Sequence, residues 1–351
     1  MRAGGIPSKK KKSFPVKAPL RMYMRKFGRE ISLPVKYSDL MRFNNTTPLI
    51  DEHGEDTLWE TAYYTESDTS ELHTALTQIY ALLKTDGNIE VLDHLSVARI
   101  DWCSFGNTHP FRIRIINRYN DNYDHFYVKK TDASRVYGLE LEHILSPERI
   151  TYMVDQGTLI EEHIAGIPGD RFVAQNLKVS KFDQTRISKE FVKFNERCFV
   201  RLLGDMRSYN YVVDVTPDIE GNQYRIRAID FDQQSYEGRK KFYLPQYFKE
   251  NNPIIKMGIA LMDPETVTQY QLEERTLIAN RAKGGSARLK LLLNIMRKDN
   301  ISTTEKIEKL KEELSEHHEN DAFEECENMG DIVSTNIDLI IQKVFMQSMG
   351  L

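Results

Sequence analysis

An aspartate, four intervening residues and an asparagine, with a second aspartate twenty residues beyond that asparagine, form a set of side chains able to work together. Here they are Asp205, Asn210 and Asp230, in the stretches Leu-Leu-Gly-Asp-Met-Arg-Ser-Tyr-Asn and Ala-Ile-Asp-Phe-Asp-Gln-Gln. Phosphoryl transfer from a nucleotide needs one carboxylate to orient or deprotonate the acceptor hydroxyl, and further oxygen ligands to hold magnesium against the phosphates. Asp205 suits the first task, Asn210 and Asp230 the second, and Asp232 stands where it would support a second ion. A single loop aspartate more often serves only to cap a turn. The spacing of the whole set between apolar runs is what points to chemistry.

Those runs must position it. Residues 211–213 and 225–229 read as two strands, and Pro217, Asp218, Gly221 and Asn222 between them are turn formers, so a hairpin is expected with Asn210 entering and Asp230 leaving at the same end. Ahead of it, residues 188–203 carry Phe191, Phe194, Cys198, Phe199 and Leu202 at helical spacing and deliver the chain into Gly204 and Asp205. Further upstream, 97–105, 111–117 and 125–130 read as strands, 133–145 as a helix with Tyr137, Leu141, Ile144 and Leu145 on its apolar face, and 151–154 with 158–163 as a hairpin. Residues 70–84 form the first expected helix, 46–56 a loop, and 264–282, 287–298, 302–317 and 330–346 a helical C-terminal part.

At these residues the chain resembles the protein-kinase-like superfamily, whose catalytic loop reads Asp-x-x-x-x-Asn and whose later metal aspartate sits in an Asp-Phe-Gly or Ile-Asp-Phe-Gly/Asp motif. It is most similar to the aminoglycoside phosphotransferase and choline kinase branch, with Leu203 where that branch has histidine, and Leu-Gly-Asp is also similar to the phosphoinositide kinases. The resemblance implies an α+β, two-lobed kinase-like fold with a β-rich N-lobe and a mainly helical C-lobe, and it implies ATP and Mg2+ as cofactors. It further implies that a lysine ending the third strand, Lys129 or Lys130, meets phosphate; Lys129 is favoured because it follows Val128, and strand alternation lets only one face the ligand. Glu140 on the next helix would anchor that lysine, Gly106 would lie in the turn over the phosphates, and the backbone at Glu161, Glu162 and His163 would meet the adenine. Against these stand plainer readings: a surface acid for Glu140, an ordinary hairpin turn around Gly106, and a solvent-facing ring for His163.

Composition sets the frame. Hydrophobic residues make up 40% and charged residues 28%, the balance of a globular protein, and no apolar run reaches the length of a membrane span or a secretory leader, so a cytoplasmic location is expected. Cys103, Cys198 and Cys326 are far apart and suggest neither a zinc site nor a disulfide framework. The net charge of −4 hides an asymmetry: residues 1–42 hold twelve Lys/Arg against Glu30 and Asp39, a balance of +10 that leaves −14 for the rest. Residues 1–19 are read as a disordered basic tail, 20–88 as an extension with one helix, 89–164 as the N-lobe and 165–351 as the C-lobe.

The expected activity is transfer of the γ-phosphoryl group to a hydroxyl of an acceptor the sequence does not identify. Arg239, Lys240 and Lys241 are candidates to receive an anionic one. The alternatives are a pseudokinase scaffold, favoured by Leu203 and the glycine-poor turn, and a protein binding nucleic acid or an anionic membrane surface through residues 1–19.

Overall fold

The computed structural model describes residues 11–52, 54–85, 93–104 and 108–348. The fold is α+β, and the chain divides into two compact units: Met1–Asp132 with Ile150–His163, and Ala133–Arg149 with Ile164–Leu351. Gly106 lies outside the described residues, as do residues 1–10 of the basic segment.

The first unit begins with helices α1 (Ala18–Lys26) and α2 (Tyr37–Leu40) and strands β1 (Asn45–Ile50) and β2 (Asp56–Tyr63). Helix α3 (Glu66–Thr85) follows, then β3 (Leu95–Trp102), β4 (Phe111–Asn117), β5 (Tyr123–Lys130), β6 (Tyr152–Asp155) and β7 (Thr158–Glu162). The seven strands form one antiparallel sheet in the order β1-β2-β3-β4-β5-β7-β6. Alternation decides its faces: Phe111, Ile113, Ile115, Phe126 and Val128 point to one side and close a core with Leu72, Leu76 and Ile79 of α3. Arg112, Arg114, His125, Tyr127 and Lys129 take the other side.

Residues 46–56, expected as a loop, instead contain β1, which pairs with β2 from Asn45 opposite Tyr63 to Ile50 opposite Asp56. None of its six residues is buried, so no apolar alternation marks it; this edge strand is specified by its partner rather than by a hydrophobic row. The basic segment also does more than project into solvent. Lys11 Nζ lies 3.2 Å from Asp132 Oδ1, the amide of Phe14 donates to Asp132 Oδ2 at 2.7 Å, and α1 begins at Ala18.

The second unit holds α4 (Ala133–Leu145), β8 (Ile167–Pro168), α5 (Gly169–Gln175), α6 (Lys181–Val200), β9 (Tyr211–Asp218) and β10 (Gly221–Ala228). It continues with α7 (Asn252–Leu261), α8 (Pro264–Gly284), α9 (Ser286–Met296), α10 (Thr304–His318) and α11 (Met329–Ser348). Its sheet is small and antiparallel, ordered β10-β9-β8. Helix α6 is the hub, capped by Ser180, whose hydroxyl accepts from the Asp183 amide, and packed by α7, α8, α11 and β10. Phe191, Phe194, Cys198 and Phe199 are buried along it. Among the described residues, no helix is long and apolar enough to cross a membrane.

Candidate active site

The route into the site is set by the end of α6. After Val200 the chain cannot continue as helix: Leu202 and Asp205 both take left-handed backbone angles, φ 53° and 60°. Both leucines of the turn are fully buried, so Leu203 fills core at the position where the resemblance leads one to expect histidine. Its backbone bridges Gln234, and the Gly204 amide donates to Gln233 O at 3.2 Å. A Cβ on Gly204 would stand 3.0 Å from that carbonyl oxygen, which explains the glycine without appeal to a ligand. The two chemistry-bearing stretches are thus stitched together by main chain.

The hairpin completes the assembly. Register pairing of β9 with β10 sets Tyr211 opposite Ala228, and one step beyond it the Ile229 amide donates to Asn210 O at 3.0 Å. Asn210 in turn donates through Nδ2 to Asp205 O at 2.7 Å. Asn210 is therefore bonded directly to Asp205 and to the strand end that precedes Asp230, which brings the three to one corner at the end of the hairpin. The left-handed angle at Asp205, a conformation strained for a residue other than glycine, is held by this bond and by its own amide, which donates to Phe242 O at 3.0 Å.

The Asp205 carboxyl is half-buried. Burial raises its pKa to about 6, the Arg207 guanidinium works against that rise, and the Asp230 charge adds to it. Arg207 Nε donates to Asp205 Oδ1 at 2.9 Å, while its Nη1 reaches Glu250 Oε1 at 2.8 Å. A carboxylate so placed is mainly ionised at neutral pH and is basic enough to take a proton.

Sequence reasoning missed the group facing the other acids. Arg135, at the start of α4 and fully buried, donates from Nη1 to Asp230 Oδ1 at 2.9 Å and to Asp232 Oδ1 at 2.8 Å, and from Nη2 to Ile229 O at 3.2 Å. Close packing brings it there: Gly138, one turn along α4, would carry a Cβ only 3.0 Å from the Phe231 Cβ. Asn251 is a second such residue. It is fully buried, accepts from Tyr211 Oη at 2.9 Å and donates to Met206 O at 3.1 Å and Pro245 O at 2.8 Å, tying the Asp205 turn to the segment after the hairpin. Neither has a local pattern to reveal it, because the contacts that tie each to the site run to partners 40 or more residues away.

The donor chemistry fits magnesium. Asn210 Oδ1 and the carboxylates of Asp230 and Asp232 are hard oxygen donors, and Asp230 keeps a third of its side chain exposed. Among the described residues, no three His, Cys, Asp or Glu side chains converge as a cage. A magnesium ion shared with phosphates does not require one, since one or two carboxylates suffice.

The remaining predicted residues have partners of their own. In the first unit Lys129 Nζ donates to Glu161 Oε2 at 2.7 Å, a diagonal pair across β5 and β7, and both are buried. Lys130 is exposed on the opposite face, over the Tyr37 ring. Glu161 pairs with Tyr127 on one side and Tyr152 on the other, which commits its backbone to the sheet. Glu162 accepts from the Thr151 amide at 2.6 Å, and its own amide donates to Thr151 O. His163 Nδ1 lies 3.1 Å from Tyr127 Oη, and burial lowers its pKa. Glu140, in the second unit and fully buried, accepts from Arg288 Nη2 at 2.6 Å. It is thus no surface acid. Of the three basic candidates after the hairpin, Arg239 and Lys240 turn toward Glu313 and His317 on α10, and Lys241 alone lines a cavity.

No protein-family model matches this chain, and a search of curated proteins finds no relative.

Proposed function

We propose that this chain is an ATP- and magnesium-dependent phosphotransferase of the kinase-like class, moving a γ-phosphoryl group to a hydroxyl. The observation that carries this reading is the hydrogen-bonded corner in which Asn210 joins the Asp205 carbonyl to the strand end preceding Asp230. Asp205 orients the acceptor hydroxyl and takes its proton. Asn210 Oδ1, Asp230 and Asp232 would hold magnesium, and MgATP when bound supplies a charge-screened electrophilic phosphorus. Arg207 keeps the Asp205 carboxylate aimed and favours its ionised form despite its burial. Lys129 is the candidate for phosphate, with Glu161 fixing its ammonium. A cytoplasmic location accords with this reading.

Calorimetry and ADP release test it together. The native chain is expected to bind MgATP and turn it over, Asp230→Ala to weaken binding at least ten-fold, and Asp205→Ala to retain binding while losing 100-fold or more in turnover, on the order of a general-base contribution. Failure of the native chain to bind MgATP overturns the reading.

A second reading rests on Arg135. One guanidinium shared by Asp230 and Asp232 already supplies positive charge where magnesium would act, as a scaffold that keeps nucleotide without turnover would have it. MgATP binding with no ADP release across a panel of alcohol acceptors would favour that alternative.

A further inference from the structure

Beside Asp205, within the second unit, a cavity of about 370 Å³ opens between the Asp205 turn and the segment after the hairpin. Two of its lining residues hold Asp205 directly: Arg207 through the carboxylate, and Phe242 through its carbonyl oxygen. A hydroxyl presented to Asp205 from this side therefore belongs to a molecule whose body lies in the cavity. The charge of the lining then describes that body. Arg207 is balanced by Asp205 and Glu250, whereas Lys241 and Lys249 have no acidic partner among the described residues. Two positive charges are left for a ligand. The rest of the wall is aromatic, with Phe248 buried and Phe242 and Tyr247 more exposed, and the Arg207 guanidinium stacks 5.0 Å from the Phe248 ring centre.

Resting on the phosphotransfer reading, we propose that this cavity is the acceptor subsite and that it selects a small hydroxylated organic anion bearing a phosphate or carboxylate group. Lys241 and Lys249 pair with the anionic group, and the aromatic wall covers the carbon skeleton. The size suits a small molecule, since pockets for such ligands run from about 300 to 1,000 Å³. In the reaction the acceptor oxygen forms a bond to the γ-phosphorus as the bond from that phosphorus to the ADP oxygen breaks. The hydroxyl proton passes to Asp205, and ADP departs with the bonding pair.

Inorganic pyrophosphate, titrated calorimetrically without metal, is the probe. It is measured on the full-length native chain, on Lys241→Gln/Lys249→Gln, and on Lys240→Gln, which removes a neighbouring charge outside the cavity. Both variants change side chains that are exposed or half-buried, and the melting temperature of each checks its folding. The expected result is at least five-fold weaker binding in the double variant and less than two-fold in the control. Equal weakening in both, or no binding of 10 mM pyrophosphate to the native chain, overturns the proposal. So does capture of phosphatidylserine vesicles that the double variant abolishes when pyrophosphate is not bound, because the surface then serves a membrane. MgATP is titrated into the native chain in parallel. If MgATP binds while pyrophosphate ignores the two lysines, the subsite fails and phosphotransfer stands; if MgATP does not bind, phosphotransfer fails and the acceptor role falls with it.

Discussion

At the scale of single residues, the acids of the site carry their own counter-ion. Arg135 has two per cent of its side chain exposed and faces two carboxylates, so replacing it leaves a pair of like charges at close range. Arg135→Gln is expected to destabilise the protein by about 3 kcal/mol in the absence of divalent ions, the lower end for breaking a buried pair given that Asp230 is partly solvated. Magnesium should then recover more stability in the variant than it adds to the native chain, because a divalent ion can stand where the guanidinium stood. Thermal melts with and without 10 mM MgCl2 check both statements; an equal magnesium effect in the two proteins would show that the acids do not take the ion. The acids were legible in the sequence because their chemistry is local and their spacing regular. Arg135 was not, because nothing in Ala-Ser-Arg-Val distinguishes it from any helix-opening arginine until α4 meets Phe231.

At the scale of elements, the turn that presents Asp205 leans on a relay between helices. Asn336 of α11 donates through Nδ2 to Phe199 O and Val200 O, each at 3.0 Å, satisfying carbonyls that the end of α6 leaves open. Its Oδ1 faces His318 Nε2 of α10 at 2.8 Å. His318 also stacks near Phe199 and Phe323, adjoins His317, and accepts at its carbonyl from Lys343. Burial among these groups lowers its pKa to about 4, below the roughly 6.5 of an unfolded chain. Between those values the unfolded chain binds the extra proton, so stability is full above about pH 6.5 and declines as the pH falls toward 4. Urea titrations at pH 7.5 and 5.0 should show the native midpoint dropping, and His318→Gln should reduce that drop. An undiminished drop in the variant would assign the pH dependence to other groups. The helices of this relay announce themselves in sequence: α10 by Thr303, whose hydroxyl caps the Lys306 amide, and α11 by its apolar period. Helix α7 and strand β1 do not, the first following directly on an aperiodic segment dense in lysine and aromatics, the second lacking any buried face. Strands β4 and β5 lie where alternation predicts them, β5 starting two residues early; the hairpin β9–β10 is longer than expected, because Pro217, Asp218, Gly221 and Asn222, read as turn formers, pair within its strands and leave the turn to Ile219 and Glu220.

At the scale of the whole molecule, neither compact unit is a continuous piece of chain. Residues 133–149, between β5 and β6, belong to the second unit, and they bring Arg135, Glu140 and Glu142 with them. Cutting the chain at residue 164, where the sequence suggests a lobe boundary, removes all three from the part that contains their partners. Arg201, fully buried, then loses Glu142, and Arg288 loses Glu140. The fragment 164–351 is therefore expected not to unfold cooperatively, and co-expression with a 133–149 segment is expected to restore a sharp transition by circular dichroism. A cooperative melt of the shorter fragment alone would show that α4 is dispensable.

The same interleaving orders events on the ribosome. Glu140 emerges 148 residues ahead of the arginine that neutralises it, which at about 5–20 residues per second is a wait of about 7–30 s. Until Arg201 and then Arg288 emerge, the nascent α4 carries two acids destined for burial ahead of the arginines that pair with them. Its sequence must stay soluble on its own for that long, and a helix with charges on the face it will later hide does so better than an apolar one.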